Sequence, residues 1–440
     1  MAVDGSWIVL AGGFVALLTA GGAQAAGYAL KEQSAAGQGE AFAGAAAKAE
    51  DATTLFANPA GMARLSGSQA VVSGAFIAPT AKFKNGSASR AAAYGGSAIS
   101  GPSSTGDVVL DAFVPALYGV YDVDPRWKVG LAITAPWGLA TKYDADWIGR
   151  YHAIKSEMQT LNIAPSVSYR INRQWSVGGG LQFQRIKAEL TNAVDFGSLI
   201  RLPGRADGFA KVKGDDWGWG YTFGVLWEPA TTTRLGLSYR SAIHHKLDGN
   251  AQFSGVPAVP ALRASFANTG ASAKVTTPEM VMFGAYHELS PQWAVLFETS
   301  WTNWSRFRQL VVSFDNPLRG PSVTEERWED GWFFSLGANY RPTDRWTLRA
   351  GVAYDLAPTP DEHRTPRIPD TDRVWLAAGA TYKLTEAVSI SAAYTHIFGL
   401  DADVNLRDGG PGTTDNLRGN LTGSYDSHVD ILTVQAKVSF

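Results

Sequence analysis

Tyr121-Asp-Val-Asp-Pro-Arg-Trp127 and Tyr169-Arg-Ile-Asn-Arg-Gln-Trp175 are two copies of one phrase: an aromatic, a few polar residues, then an alternating run that usually opens on tryptophan. Four more copies follow: Trp227-Glu-Pro-Ala-Thr-Thr-Thr-Arg234, Tyr286-His-Glu-Leu-Ser-Pro-Gln-Trp293, Tyr340-Arg-Pro-Thr-Asp-Arg-Trp346 and Tyr382-Lys-Leu-Thr-Glu-Ala-Val388. Pro, Asn, Asp and Thr supply turns, so each copy reads as a tight hairpin between two strands. An aromatic where strand meets turn is the interfacial girdle of a membrane β-barrel. Seven much longer, polar and Gly/Pro-rich connections separate these turns. Short turns at one end and long loops at the other mark an outer-membrane barrel.

The flanking runs alternate with period two, as a barrel wall must. From Trp175, one face reads Trp175, Val177, Gly179, Leu181, Phe183 and the other Ser176, Gly178, Gly180, Gln182, Gln184. Periodicity alone does not say which face looks outward, since a soluble sandwich alternates too. The case for lipid outside rests on strand number, turn asymmetry and the chain ends.

The 440 residues include no cysteine and carry a net charge of −2, which excludes disulfides and gives no reason to expect nucleic acid. Ile8 to Ala20 is an apolar stretch too short to span a bilayer, and Ala23-Gln24-Ala25 is a small-x-small cleavage site. Residues 1–25 therefore read as a secretory signal, although the segment before the apolar stretch has Asp4 and no Lys or Arg. No later run is apolar enough for a transmembrane helix, and a membrane protein without helices must be a closed barrel. At the other end Leu432, Val434, Ala436, Val438 and Phe440 alternate with polar residues, and the chain stops on phenylalanine. Such an ending resembles the signal read by the barrel assembly machinery of the bacterial outer membrane.

Fourteen strands are expected near 68–81, 109–122, 126–136, 156–171, 174–190, 217–228, 233–246, 271–288, 292–312, 328–341, 345–356, 371–383, 387–399 and 428–440. The fold class is thus all-β, an antiparallel transmembrane barrel with an even strand count and both ends on the short-turn side. Long loops fall near 82–108, 137–155, 191–216, 247–270, 313–327, 357–370 and 400–427. Residues 26–67 are small, helix-permissive and broken by glycine, so they read as a plug folded into a lumen too wide to leave empty. The barrel then covers 68–440.

From this segment onward the chain resembles the FadL-type outer-membrane transporters of long-chain fatty acids and aromatic hydrocarbons. The match runs through Ala26-Gly27-Tyr28-Ala29-Leu30, Asn58-Pro59-Ala60-Gly61, Trp137-Gly138-Leu139-Ala140-Thr141, Pro278-Glu279-Met280, Ser305–Leu310 and Arg367–Leu376. The resemblance implies a fourteen-stranded barrel plugged by an N-terminal hatch of short helices and loops. It makes Asn58, Pro59, Ala60 and Gly61 the hatch motif, and places a lateral opening at a strand kink matching Pro136, Trp137 and Gly138. A Pro without a ladder donor beside a Gly weakens pairing, although Pro136 would also simply end a strand. The implied route starts in an apolar groove between two outer loops, continues to an interior pocket, and leaves through the wall when the hatch rearranges.

Groove candidates are Leu199, Ile200, Leu202 and Phe209 in one loop and Val256, Val259, Leu262 and Phe266 in the next, where apolar side chains need a ligand or each other as cover. Fatty-acid members of the family line the pocket with basic residues, but the matching positions hold Asn192 and Val311. Alternation from Trp293 carries Glu298, Trp304, Arg306 and Arg308 inward unless a bulge intervenes, so Arg306 or Arg308 is a candidate for an anionic head group. The seven histidines show no metal-binding spacing, and Gly178-Gly179-Gly180 lies mid-strand, where glycine relieves crowding. No enzyme activity, cofactor or metal is expected. The expected function is outer-membrane transport of long-chain fatty acids or related hydrophobic compounds by ligand-gated passive diffusion; a hydrocarbon channel and a general diffusion porin are the alternatives. Expected partners are hydrophobic small molecules, outer-membrane lipid and lipopolysaccharide, and the assembly machinery, around a monomer.

Overall fold

The computed structural model describes residues 27–440, so the signal expected over 1–25 lies outside the described residues. One antiparallel sheet holds all the strands. In chain order these are β1 (Gln69–Ser89), β2 (Ala112–Asp122), β3 (Trp127–Thr134), β4 (Gly138–Lys142), β5 (Lys155–Arg170), β6 (Trp175–Asp195) and β7 (Asp207–Ala230). There follow β8 (Thr233–Arg240), β9 (Ile243–Ser254), β10 (Thr269–Thr277), β11 (Met280–Glu288), β12 (Trp293–Thr302), β13 (Gln309–Phe314) and β14 (Ser322–Glu325). The last are β15 (Gly331–Tyr340), β16 (Trp346–Leu356), β17 (Arg373–Lys383), β18 (Val388–Gly399), β19 (Ala402–Leu406) and β20 (Asn420–Ser439). Six staves are broken once, as β3/β4, β8/β9, β10/β11, β12/β13, β14/β15 and β18/β19, so the twenty segments make fourteen staves. Each stave pairs with the next, and β20 returns to β1 from Gln69↔Ser439 to Ser89↔Asn420, which closes the barrel.

The repeated phrase explains the short-turn end. In five of its six copies a turn side chain accepts hydrogen bonds from the backbone N–H groups two and three residues on. Asp124 Oδ1 takes those of Arg126 and Trp127 at 2.7 and 2.9 Å, and Asn172 Oδ1 those of Gln174 and Trp175 at 2.8 and 2.9 Å. Ser290, Thr343 and Thr385 act alike through their hydroxyls. The aromatics released onto the strands then pair between neighbouring staves: Trp127 with Tyr169, Trp175 with Trp227, Trp293 with Tyr340 and Trp346 with Tyr382.

Burial supplies the sign that periodicity lacked. On β6, Leu181 and Phe183 are 49% and 43% exposed while Gln182 and Gln184 are 2% and 1% exposed. The apolar face looks outward and the polar face inward, as in a wall immersed in lipid. Several strands outrun the expected bounds. β6 extends to Asp195, β7 begins at Asp207 and β20 at Asn420, so the loops expected over 191–216 and 400–427 shrink. Above the apolar belt neither face needs to be apolar, and outward charges such as Lys187, Glu189 and Lys213 disguise the strand. Phe209, expected in a loop, is therefore a β7 residue.

Residues 27–67 run through the lumen. The short helix Ala35–Gln38 lies against β17, β18 and β20, and the 3-10 helix Pro59–Arg64 against β5, β6 and β7. Small residues permit this close approach: Ala41, Ala47, Ala52 and Ala60 are wholly buried.

Candidate functional site

Asn58-Pro59-Ala60-Gly61 is seated on the inner wall, and each residue type has a reason. Asn58 is wholly buried and caps the 3-10 helix, its Oδ1 accepting the Ala60 N–H at 3.0 Å. Its Nδ2 donates to the carbonyls of Ala46 and of Val225 on β7, at 2.7 and 3.0 Å. Pro59 occupies the first helical position, where a missing N–H costs nothing. A Cβ on Gly61 would lie 2.1 Å from Thr54 Oγ1. The wall is cut to match. A Cβ on Gly224 would lie 2.0 Å from Asn58 Oδ1, and one on Gly178 would lie 2.4 Å from Ala60 N. Gly178, one of the two inward members of the Gly178-Gly179-Gly180 run, is thus a seat for the inner segment.

An ion network, buried except at Glu50, ties the same segment to β16. Glu40 meets Lys48 at 2.7 Å and Arg349 at 3.0 Å, and Arg349 also meets Glu50 at 2.6 Å. Burial pushes the Glu50 carboxyl up, but Arg349 and Lys48 outweigh it and hold the group well below the usual carboxylate range.

Pro136, Trp137 and Gly138 interrupt the third stave. Pairing of β3 with β5 ends at Thr134↔Asn162 and resumes as β4 with β5 at Gly138↔Gln159, which leaves one extra residue in the third stave. On the other side the β2–β3 ladder runs only from Asp122↔Lys128 to Leu117↔Ile133. The next bond, Leu110 N to Ala140 O at 3.2 Å, lies well beyond it. Between them, among the described residues, Ala112–Ala116 has no ladder partner on the third stave. The N-terminal segment takes up the freed groups from inside. Leu30 N donates to Pro136 O at 2.8 Å, Gly138 N to Tyr28 O at 2.9 Å, and Gln33 Nε2 to Ala135 O at 3.0 Å.

Trp137 points inward into an aromatic nest that alternation alone did not assemble. Tyr28 stands edge-on to Trp304 at 4.5 Å and Trp137 at 5.9 Å, with Trp328 5.1 Å from Trp304. Beside the nest lies a cavity of about 90 Å³, walled by Leu30, Phe42, Phe56, Met282 and Phe333 and reaching Pro136 and Trp137. Charged groups line it as well, among them Lys31, Asp51, Arg240 and Glu298. Lys31 stands 4.1 Å over the Phe333 ring, and Arg240 stands 4.4 Å over the Phe56 ring. Burial lowers the Lys31 ammonium from its ordinary value, against the pull of Asp355, Glu298 and Glu32.

Residues 16–440 match the family model for outer membrane protein transport protein (OMPP1/FadL/TodX). The chain belongs to this OMPP1/FadL/TodX family. It is similar to the long-chain fatty acid transport protein of Escherichia coli O6:H1, 30% identical over 403 residues that cover 85% of this chain and 87% of the relative. It is also similar to outer membrane protein P1 of Haemophilus influenzae, 31% identical over 87% of this chain and 88% of the relative. A solved Pseudomonas aeruginosa FadL homologue superposes with a TM-score of 0.86 at 25% identity, covering 94% of this chain and all of the other. The Pseudomonas putida toluene transporter TodX shares the fold, with a TM-score of 0.70 at 18% identity over 94% of this chain and all of the other. Members of the OMPP1/FadL/TodX family are outer-membrane transporters of hydrophobic compounds, not enzymes.

The two FadL-type loops expected to form a groove do meet. Leu199, Val256 and Leu262 pack against Val194, Phe196 and Phe266 in one apolar cluster. Leu202, Phe209 and Val259 stay outside it and are exposed. The inward course expected for Arg306 and Arg308 is corrected. β12 ends at Thr302 and a 3-10 turn over Trp304–Arg306 breaks the alternation, so Glu298 and Trp304 are buried while both arginines are exposed. Arg306 is bound in a fork to Glu279, both contacts at 2.6 Å.

Proposed function

We propose that this barrel moves long-chain fatty acids across the outer membrane by ligand-gated passive diffusion, releasing them sideways through the wall at Pro136, Trp137 and Gly138. The observation that carries the reading is the stretch Ala112–Ala116 of β2, which pairs with β1 but has no ladder partner on the third stave, where the freed groups beside Pro136 bond instead to Tyr28, Leu30 and Gln33. In this reading residues 27–67 are the hatch, and Asn58, Pro59, Ala60 and Gly61 seat it. Transfer into the bilayer needs no other energy source, because each buried methylene contributes about 0.8 kcal/mol. The groove of Leu199, Leu262 and Phe266 collects the ligand at the long-loop end. A general diffusion porin has no use for a lumen filled in this way. The protein acts as a monomer in lipid and lipopolysaccharide once the assembly machinery has inserted it and the signal has been removed.

The chain has no cysteine, so an introduced pair has no competing thiol. Ala116→Cys with Thr134→Cys extends the β2–β3 ladder by the pair that follows Leu117↔Ile133. In cells lacking their own transporter, labelled oleate uptake should fall under oxidation and return with reductant. Full uptake by the cross-linked protein would rule out lateral exit. Toluene moving while oleate does not would transfer the reading to hydrocarbons.

A further inference from the structure

At the long-loop end a second cavity of about 90 Å³ is walled by Val212, Phe253, Phe266, Val312 and Phe314. Among these side chains stands Arg319. Its guanidinium carbon lies 4.2 Å from the Phe266 ring centre, 4.4 Å from that of Phe253 and 4.5 Å from that of Phe314. The side chain is carried at the tip of the β13–β14 hairpin, and the tip is fastened down. Asn316 Nδ2 donates to the carbonyls of Ala264 and Ser265 at 2.8 and 3.2 Å, and Ser265 Oγ donates to Leu318 O at 3.1 Å.

What this guanidinium lacks is a counter-charge. Among the described residues it enters no ion pair and no hydrogen bond, and its Nε is buried without a partner. Burial lowers its pKa only to about 10, so it remains a cation at neutral pH. The other charges around the cavity leave the excess positive. Arg367 is 6% exposed and donates to Ser156 Oγ and Asn192 Oδ1 at 3.2 Å, both neutral partners. Arg418 is bonded to Asp415 at 2.8 Å, and Asp195 is held by Arg90 at 2.7 Å. Three aromatic faces favour the cation but accept none of its hydrogen bonds, which leaves the planar fork free for a carboxylate. A neutral hydrocarbon would fill the cavity and leave that fork unsatisfied.

We propose that Arg319 is the anion seat of this outer cavity, holding the carboxylate of a long-chain amphiphile whose apolar chain lies along Phe253, Phe266 and Phe314. The inference rests on the transport reading above and deepens it by naming the residue that holds the carboxylate. It also accounts for the uncharged Asn192 and Val311: the positive charge arrives from an outer hairpin and not from those strand positions.

The test is equilibrium binding of radiolabelled oleate and oleyl alcohol to the purified full-length protein in a non-ionic detergent. Wild type should bind oleate at least about tenfold more tightly than the alcohol, the ratio of a charge-assisted hydrogen bond. Arg319→Gln should lose that preference while binding the alcohol as wild type does, and Arg306→Gln, an exposed cation outside the cavity, should keep it. Retention of the preference in Arg319→Gln overturns the seat. If that variant binds neither ligand, Arg319→Lys decides: preference retained supports the seat, equal binding overturns it. Wild type binding both ligands equally removes the anion seat and leaves transport standing, whereas wild type binding neither removes both.

Discussion

Asn58→Ala should loosen the inner segment without unmaking the barrel. The side chain makes three hydrogen bonds, to Ala60 N, Ala46 O and Val225 O, at a position with no solvent access. At about 1 kcal/mol for each, the seat should weaken by about 3 kcal/mol. Local opening of residues 45–62 then becomes about 100-fold more frequent. Hydrogen exchange followed by mass spectrometry reads this directly, with peptides from β1 and β20 as the internal reference, since their ladder does not involve Asn58. Gly224→Ala offers a second approach to the same seat, because its Cβ would fall 2.0 Å from Asn58 Oδ1. The two changes should not add: with Asn58 already shortened, the new methyl has room, and the double variant should exchange about as fast as Asn58→Ala alone. Additive effects, or unchanged exchange over 45–62 in Asn58→Ala, would refute the claim that this contact seats the segment.

Two further outcomes follow from the wall. Arg349→Met leaves Glu40, wholly buried, with Lys48 as its remaining partner, and should cost the inner segment about 3 kcal/mol, seen as protease cleavage between residues 40 and 60 while the barrel keeps its heat-modifiable gel mobility. Leu181→Arg places a charge in the outward apolar belt and should cost about 2–4 kcal/mol in folding into lipid vesicles, whereas the same change in a barrel facing water would cost almost nothing.

Much of the wall was legible because a strand in lipid obeys one rule along its whole length. Turn chemistry at Asp124, Asn172, Ser290, Thr343 and Thr385 marks where each stave reverses, and period two marks the wall between. Period two has no sign, so the outward turn of Leu181 needed the closed sheet to decide it. Strand length was lost where lipid ends: the outer parts of β6 and β7 carry charge on the outward face and read as loop. Arg306 and Arg308 were misplaced because alternation cannot announce its own interruption at the Trp304 turn. Arg319 gave no local signal at all, since Phe253, Phe266 and Phe314 reach it from three separate segments.

The inner segment is held by contacts that differ in kind along its length, and that difference bears on how it could move. Near β16 it is anchored by the ion network of Glu40, Lys48, Glu50 and Arg349, which is costly to break because a buried carboxylate would be left short of partners. Between these anchoring residues the backbone is strained: Ala41, Phe42 and Ala49 occupy left-handed conformations, at φ of 50°, 59° and 46°, each costing about 1–2 kcal/mol. At Tyr28–Leu30 the hold is lighter, two backbone hydrogen bonds to an interrupted stave plus an aromatic nest. An apolar chain entering the nest replaces ring contacts with contacts of the same type, so the polar cost of displacing Tyr28–Leu30 is limited to these two backbone hydrogen bonds. It has no means of replacing the ion network. On the transport reading, displacement therefore begins at Tyr28–Leu30, uncovers the gap between β2 and the third stave, and stops at the anchor by β16.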